Sequence, residues 1–213
     1  MNENLLRFKK NQKYIFFDYE TCNLNLGSFK NKPWQLAFIV TQGDKIIEEK
    51  EFYIDWDDLN ISDGAKRVTG FSQKKYDKFK VCPRSALNEF EKFIYNNNYI
   101  IVGHNILGFD VYIHNIHRRL LGLGSNYSYL PRIIDTNCLA RSFKNKIEYK
   151  NDSDMISWQY KLLNYRKKGI KTNLQQLCKD FKIEFDPNLL HDALYDVKKT
   201  HDVFQQLLWK IDI

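Results

Sequence analysis

The sequence predicts a mixed α/β fold, a five-stranded sheet flanked by helices. Three observations point to it. The chain opens with three β-prone runs joined by short turns, continues with alternating helix and strand patterns, and closes on one long amphipathic helix.

The first strand is Tyr14-Ile-Phe-Phe-Asp-Tyr-Glu20, followed by a loop over residues 23–32. Trp34 to Thr41 and Ile46 to Ile54 are the next two strands, separated by the turn signal Gly43-Asp44. Together they form an antiparallel meander. Arg84 to Asn97 then reads as a helix, Tyr99 to Val102 as a short buried strand, and Asp110 to Leu121 as a helix. Arg132 to Asp135 is the fifth strand. Asn173 to Phe181 is helical, with Thr172 and Gln175 in capping-box spacing at its start. In the last helix Ala193, Val197, Thr200, Phe204, Leu207, Leu208 and Ile211 recur every three or four residues and make one apolar face. The segment 143–171, rich in Lys and Asn and containing Asp152-Ser-Asp154, fits this plan poorly. It predicts a helix around Met155 to Lys167, inserted before the final two.

With 213 residues the chain is expected to be one domain over 13–213, carrying the insertion at about 143–171 after a polar segment 1–12. A hydrophobic fraction of 43% supports a packed core and excludes a disordered chain. The net charge of +7 suits a polyanionic partner, because lysines and arginines at phosphates release counterions. Cys22, Cys82, Cys138 and Cys178 have neither zinc spacing nor the density of a disulfide scaffold, so they read as reduced thiols. No signal peptide is visible, and no window nears the roughly 18 apolar residues that span a bilayer. The expectation is a cytoplasmic protein without a membrane partner.

Asp18 and Glu20 stand at i and i+2 of the first strand, so both point to one face. Two carboxylates ending an apolar strand repel unless a cation lies between them, and Mg²⁺ prefers such oxygens. Asp110 falls where the strand Tyr99 to Val102 has turned into a helix. Asp196 lies on the flank of the last helix's apolar face, where an unpaired carboxylate is costly. His191 sits just before that helix. Taken singly, each has an ordinary structural explanation: a solvated strand end, or an acid complementing a helix dipole. Asp135, a further carboxylate at a strand end, reads as structural. His114, His117 and His201 lie on helices without a motif, so surface or boundary positions are expected.

In order and context, however, Asp18-Tyr-Glu20-Thr21, Asn105 through Phe109 and Asp110, and His191 through Asp196 resemble the three motifs of the DEDDh (DnaQ-like) 3′→5′ exonuclease family, which includes proofreading exonucleases and ribonuclease T. Trp34-Gln35-Leu36-Ala37, Thr69-Gly70-Phe71 and Asp135-Thr136 are weaker echoes. The second motif has one residue more between Asn105 and Phe109 than its nearest relatives, and the 143–171 insertion is longer than the family's plain core.

The resemblance implies a ribonuclease H-like sheet with the first motif on a central strand. It implies that Asp18, Glu20, Asp110 and Asp196 hold two divalent cations, Mg²⁺ or Mn²⁺, while His191 acts as general base. The implied activity is 3′→5′ hydrolysis of single-stranded DNA to nucleoside 5′-monophosphates. An exoribonuclease or oligoribonuclease, or a proofreading subunit bound to a DNA polymerase or another replication or repair partner, is the alternative. Thr21 and Cys22 follow the first motif where relatives contact the terminal nucleotide, and His104, Asn105 and Phe109 would shape the pocket. Lys144, Lys146, Lys161, Arg166, Lys167, Lys168 and Lys171 could meet a nucleic-acid backbone while Trp158, Tyr160 and Tyr165 stack bases. The other reading of that segment is a solvated helix whose aromatics pack inward.

Overall fold

A computed structural model describes residues 4–28, 31–150 and 154–213. Asp152 and Ser153 of the acidic run therefore lie outside the described residues.

The meander forms as its alternation dictates. β1 (Lys13–Thr21) pairs antiparallel with β2 (Pro33–Gln42), and β2 with β3 (Lys45–Ile54). On the other side β1 pairs in parallel with β5 (Tyr99–Gly103), and β5 with β6 (Ile133–Asp135). The described sheet has six strands rather than five, because Lys80–Val81 adds a two-residue β4 at the outer edge of β3. Two residues carry no period, which is why the pattern missed it. The order is β4-β3-β2-β1-β5-β6, so β1 lies at the centre.

Between β3 and the next long helix stand two short helices the sequence reading did not anticipate, α1 (Asp63–Thr69) and α2 (Gln73–Phe79). Ser62 and Ser72 cap them, each hydroxyl accepting a backbone N–H of the first turn. α3 (Pro83–Ile94) and α4 (Asp110–Leu120) cover one face of the sheet. α5 (Thr136–Asn145), α7 (Leu174–Phe181) and α8 (Ala193–Leu208) cover the other, with α6 (Met155–Asn164) against the β6 edge. No helix among the described residues is long and apolar enough to cross a membrane.

Burial follows the two-residue period of β1. Ile15, Phe17 and Tyr19 join the α3/α4 core, while Tyr14 and Phe16 pack on the α8 side, their rings 5.3 and 5.5 Å from Phe204. Asp18 and Glu20 continue the Tyr14–Phe16 row and so face the start of α8. The N-terminal segment is held down: Leu5 is buried, and Arg7 reaches the carbonyl of Leu208 and the carboxylate of Asp212.

Three expectations need correction. Asn173, not Thr172, caps α7 by accepting Gln176 N–H, and Thr172 instead donates to Asn137 Oδ1 at 2.6 Å. Trp158 is no stacking platform. The helical period of α6 turns Trp158 and Leu162 inward, and the indole packs on Tyr149 at 5.2 Å. His114, His117 and His201 are buried rather than at the surface. For the first two, both ring nitrogens find partners: Tyr129 and Glu91 for His114, Pro83 O and Tyr19 for His117. Gln159 closes the β6 edge as a strand would, accepting Asp135 N–H at 2.6 Å and donating to Ile133 O at 2.9 Å.

Candidate active site

β1 outruns β5. Their pairing ends at Phe16 and Val102, so the backbone of Asp18 to Glu20 emerges beside the connection leaving β5. That connection folds on itself: Asn105 adopts φ 61°, a single-turn 3-10 helix follows over Ile106–Gly108, and α4 starts at Asp110. Asp110, 2% exposed, then accepts the free N–H of Tyr19 at 2.9 Å. The second motif is thereby docked directly onto the first.

The loop is held from below by Asp135. Its carboxylate accepts the N–H groups of Asn105 and Leu107 at 3.0 and 3.1 Å and those of Asn137 and Cys138 in the first turn of α5. This confirms the structural reading of Asp135. His104 Nδ1 lies 2.9 Å from Thr136 Oγ1, whose hydroxyl is donated to Gly103 O, and burial lowers the imidazole to about 4. Asn105 accepts from Asn137 Nδ2. Both residues brace the loop that carries Asp110.

From the other side comes α8. His191 has φ 69°, an uncommon conformation for a residue with a side chain, and its N–H donates to Asp196 Oδ2 at 3.1 Å. Asp192 caps the helix through Tyr195 N–H. Glu20, His191 and Asp196 bring ligand-type atoms within 4.8 Å of one another.

Asp18, Glu20, Asp110 and Asp196 therefore converge from β1, α4 and α8 on one place. Burial pushes the Asp18 carboxyl well above its ordinary range, and the negative charges of Asp110, Glu20, Asp196 and Asp192 push it further. Glu20 is raised by burial and then by Asp196, Asp110 and Asp192. Asp110 is pushed up to about 8 and Asp196 to about 7, burial leading in both; the bonds from Tyr19 and His191 N–H oppose it. Among the described residues none of the four forms an ion pair with Lys or Arg. Asp196 Oδ1 is buried without a hydrogen-bond partner. A buried acceptor with no donor, inside a cluster of mutually repelling carboxylates, fits hard divalent cations, whose oxygen ligands these are. His191 stands at the exposed rim, and burial of its ring lowers its pKa.

The remaining expected contacts are placed as follows. Cys22 is buried in a side cluster with Trp34, Tyr53, Ile61 and Tyr76, so its thiol is not offered to a nucleotide. Thr21 is buried too, its hydroxyl donated to Asn23 O at 2.6 Å. Phe109 is half-buried against the α3/α4 core beside Asp110. Arg166, Lys167 and Lys168 are exposed on the connection from α6 to α7. Sequence reasoning missed the polar group between β2 and α8: Gln35, Glu51, Lys75 and the cap Asp192. The one signal for it was the polar break Trp34-Gln35-Leu36 in an otherwise apolar strand.

Known proteins share the family and the fold. The sequence model of an exonuclease family, RNase T, matches residues 15–204. Among solved structures, the chain is similar to Escherichia coli exonuclease I in complex with a dA16 oligonucleotide, at 18% identity and TM-score 0.72, covering 93% of this chain and 41% of that one. It is also similar to the zinc-bound form of the E. coli exonuclease I complex with single-stranded DNA, at 19% identity and TM-score 0.70, covering 91% and 40%. A third match is the complex of exonuclease I with SSB-Ct, at 19% identity and TM-score 0.69, covering 94% and 42%. The chain thus spans about two fifths of the exonuclease I chains it matches. No curated protein sequence matches it.

Proposed function

This chain belongs to the RNase T exonuclease family, and from that premise we propose that it is a metal-dependent 3′→5′ exonuclease of single-stranded DNA. One observation carries the reading. Four carboxylates from β1, α4 and α8 converge, and among the described residues no Lys or Arg pairs with them and one of their buried oxygens, Asp196 Oδ1, has no hydrogen-bond partner.

Asp18, Glu20, Asp110 and Asp196 are the residues that would hold two divalent ions, Mg²⁺ or Mn²⁺. Such ions supply Lewis acidity and offset the charge that develops at the scissile phosphate. The protein's own part is positional and protolytic. Tyr19 N–H orients the Asp110 carboxylate, and His191 N–H orients that of Asp196. His191, its pKa lowered by burial, is neutral at pH 7 and can take the proton of an attacking water. Transfer of that proton leaves hydroxide to displace the 3′-oxygen in line, releasing a nucleoside 5′-monophosphate.

Single-stranded DNA is the favoured substrate because exonuclease I, which shares the fold, is found with single-stranded DNA and with dA16. Arg166, Lys167 and Lys168 are the backbone contacts we assign outside the acidic pocket.

The test is a gel assay with 5′-labelled single-stranded DNA and matched RNA, with Mg²⁺ or EDTA, on the wild type and Asp18→Ala. A ladder shortening from the 3′ end, lost in EDTA and in the variant, is the expected result, with DNA the faster substrate. Faster cleavage of RNA would move the assignment to an exoribonuclease. Degradation of neither, with Mg²⁺ present, would end the enzyme reading.

A further inference from the structure

Gln35 is 1% exposed and sits in β2 directly opposite Glu20. Cross-strand partners share a face, so its carboxamide lies on the α8 side of the sheet, next to the acidic cluster. Three contacts meet there. Gln35 Nε2 donates to Glu51 Oε1 at 2.7 Å and to Asp192 Oδ2 at 3.3 Å, and Oε1 accepts Ala193 N–H at 3.4 Å. Both acceptors are carboxylates and the donor is a backbone amide, so only one orientation of the carboxamide satisfies all three.

The surroundings fix that orientation. Tyr53 donates to Glu51 Oε1 at 2.8 Å, and Lys75 Nζ stands 3.6 Å from both Glu51 and Asp192. The ammonium offsets the two carboxylates to which Gln35 donates. Asp192 meanwhile spends its other oxygen on Tyr195 N–H, the helix cap. The first turn of α8 is thus capped twice, once from within and once from the sheet. Immediately before this double cap lies His191 in its left-handed conformation, and one turn after it lies Asp196. A strained residue of this kind persists only where its neighbours over-determine it.

We infer that Gln35 and Asp192 form a positioning pair that sets the stance of His191 and Asp196 against Glu20. The inference rests on the nuclease reading above and names what aligns its general base. Helix α8 itself does not depend on the pair, because Val197, Val203, Phe204 and Leu207 anchor it along its length. Loss of the pair should therefore loosen the first turn and leave the fold standing.

The test uses Gln35→Met, an apolar side chain of similar length, and Asp192→Asn. Asparagine caps as well as aspartate, but with its oxygen on Tyr195 N–H its NH₂ faces the Gln35 NH₂. Each variant should lower kcat on a single-stranded oligodeoxythymidine about tenfold to a hundredfold, with KM essentially unchanged. In the metal-free protein, the His191 ring signal in ¹H–¹³C spectra, assigned with His191→Gln, should move while those of His114 and His117 stay. The double variant should be no worse than the worse single one, because both act through one contact. Wild-type kcat together with an unmoved His191 signal in both variants would overturn the proposal. Should Gln35→Met fail to fold, Asp192→Asn, at the half-exposed end of the pair, decides alone. A wild type inactive on DNA and RNA would sink the nuclease reading, and the His191 signal would still decide the positioning claim.

Discussion

At the scale of single residues, Asp110 and Asp196 are held where their charged forms are disfavoured. Their folded pKa values, about 8 and about 7, lie above the ordinary 3.8. A carboxyl whose pKa is raised on folding contributes stability that is complete below the unfolded value and is lost as pH rises through the folded one. In EDTA the melting temperature should therefore carry a component that falls between about pH 4 and pH 8. His104 and His117, whose pKa values are lowered by burial, act in the opposite sense, destabilising as pH drops below their ordinary 6.5. Comparison with Asp196→Asn isolates the carboxylate part, since the amide oxygen can still accept His191 N–H. The variant should melt higher than the wild type at pH 8 in EDTA and should lose its advantage at pH 5 or with saturating Mg²⁺. Equal melting temperatures at pH 8 would show that the cluster is not strained in the absence of metal.

Elements are joined to the site through a few polar anchors rather than through apolar contact alone. Asp135 is the clearest, with four backbone N–H groups converging on one buried carboxylate. It starts α5 and at the same time fixes the loop that delivers Asp110. Asp135→Ala leaves those donors buried without an acceptor, which should cost about 3 kcal/mol or more. In a domain of this size that is a drop of roughly 10 °C in melting temperature. Urea unfolding should show a lower midpoint at unchanged slope. A loss below about 1 kcal/mol, the worth of an ordinary helix cap, would mean that the loop finds other partners. Trp158 and Gln159 show the same economy in α6: one ring fills the core, and the neighbouring amide completes the edge of β6.

Over the whole molecule, charge is segregated. The net +7 coexists with a pocket of four carboxylates, so the excess positive charge must stand elsewhere. One part of it is the exposed run Arg166, Lys167 and Lys168, just past α6, the helix that packs against β6 and the turn leading to Asp110. A strand whose 3′ end occupies the acidic pocket would meet this run with its backbone. Replacing all three by alanine should weaken binding of single-stranded DNA in EDTA. It should also reduce the slope of log affinity against log salt by about 2, the release expected from three single-strand phosphate contacts. Anisotropy titrations at several salt concentrations measure it, and an unchanged slope would place the backbone on another surface.

What the sequence determined alone was whatever local periodicity and motif order encode. The alternation of β1 put Asp18 and Glu20 on one face. The 3.6-residue period of α8 put Asp196 at the helix–sheet seam, and the order of the three motifs named the family before any coordinates. The tertiary structure decided what depends on contacts between distant segments. It made Asn173 rather than Thr172 the cap, because Thr172 is drawn to Asn137. It turned Trp158 inward, because only the assembled core shows which face of α6 is covered. It buried His114 and His117, whose partners lie on α3 and beyond. It also built the group of Gln35, Glu51, Lys75 and Asp192 from two strands, a short helix and a helix cap that share no local pattern. Periodicity tells a side chain which way to face; only the packed chain supplies the donor or acceptor it meets there.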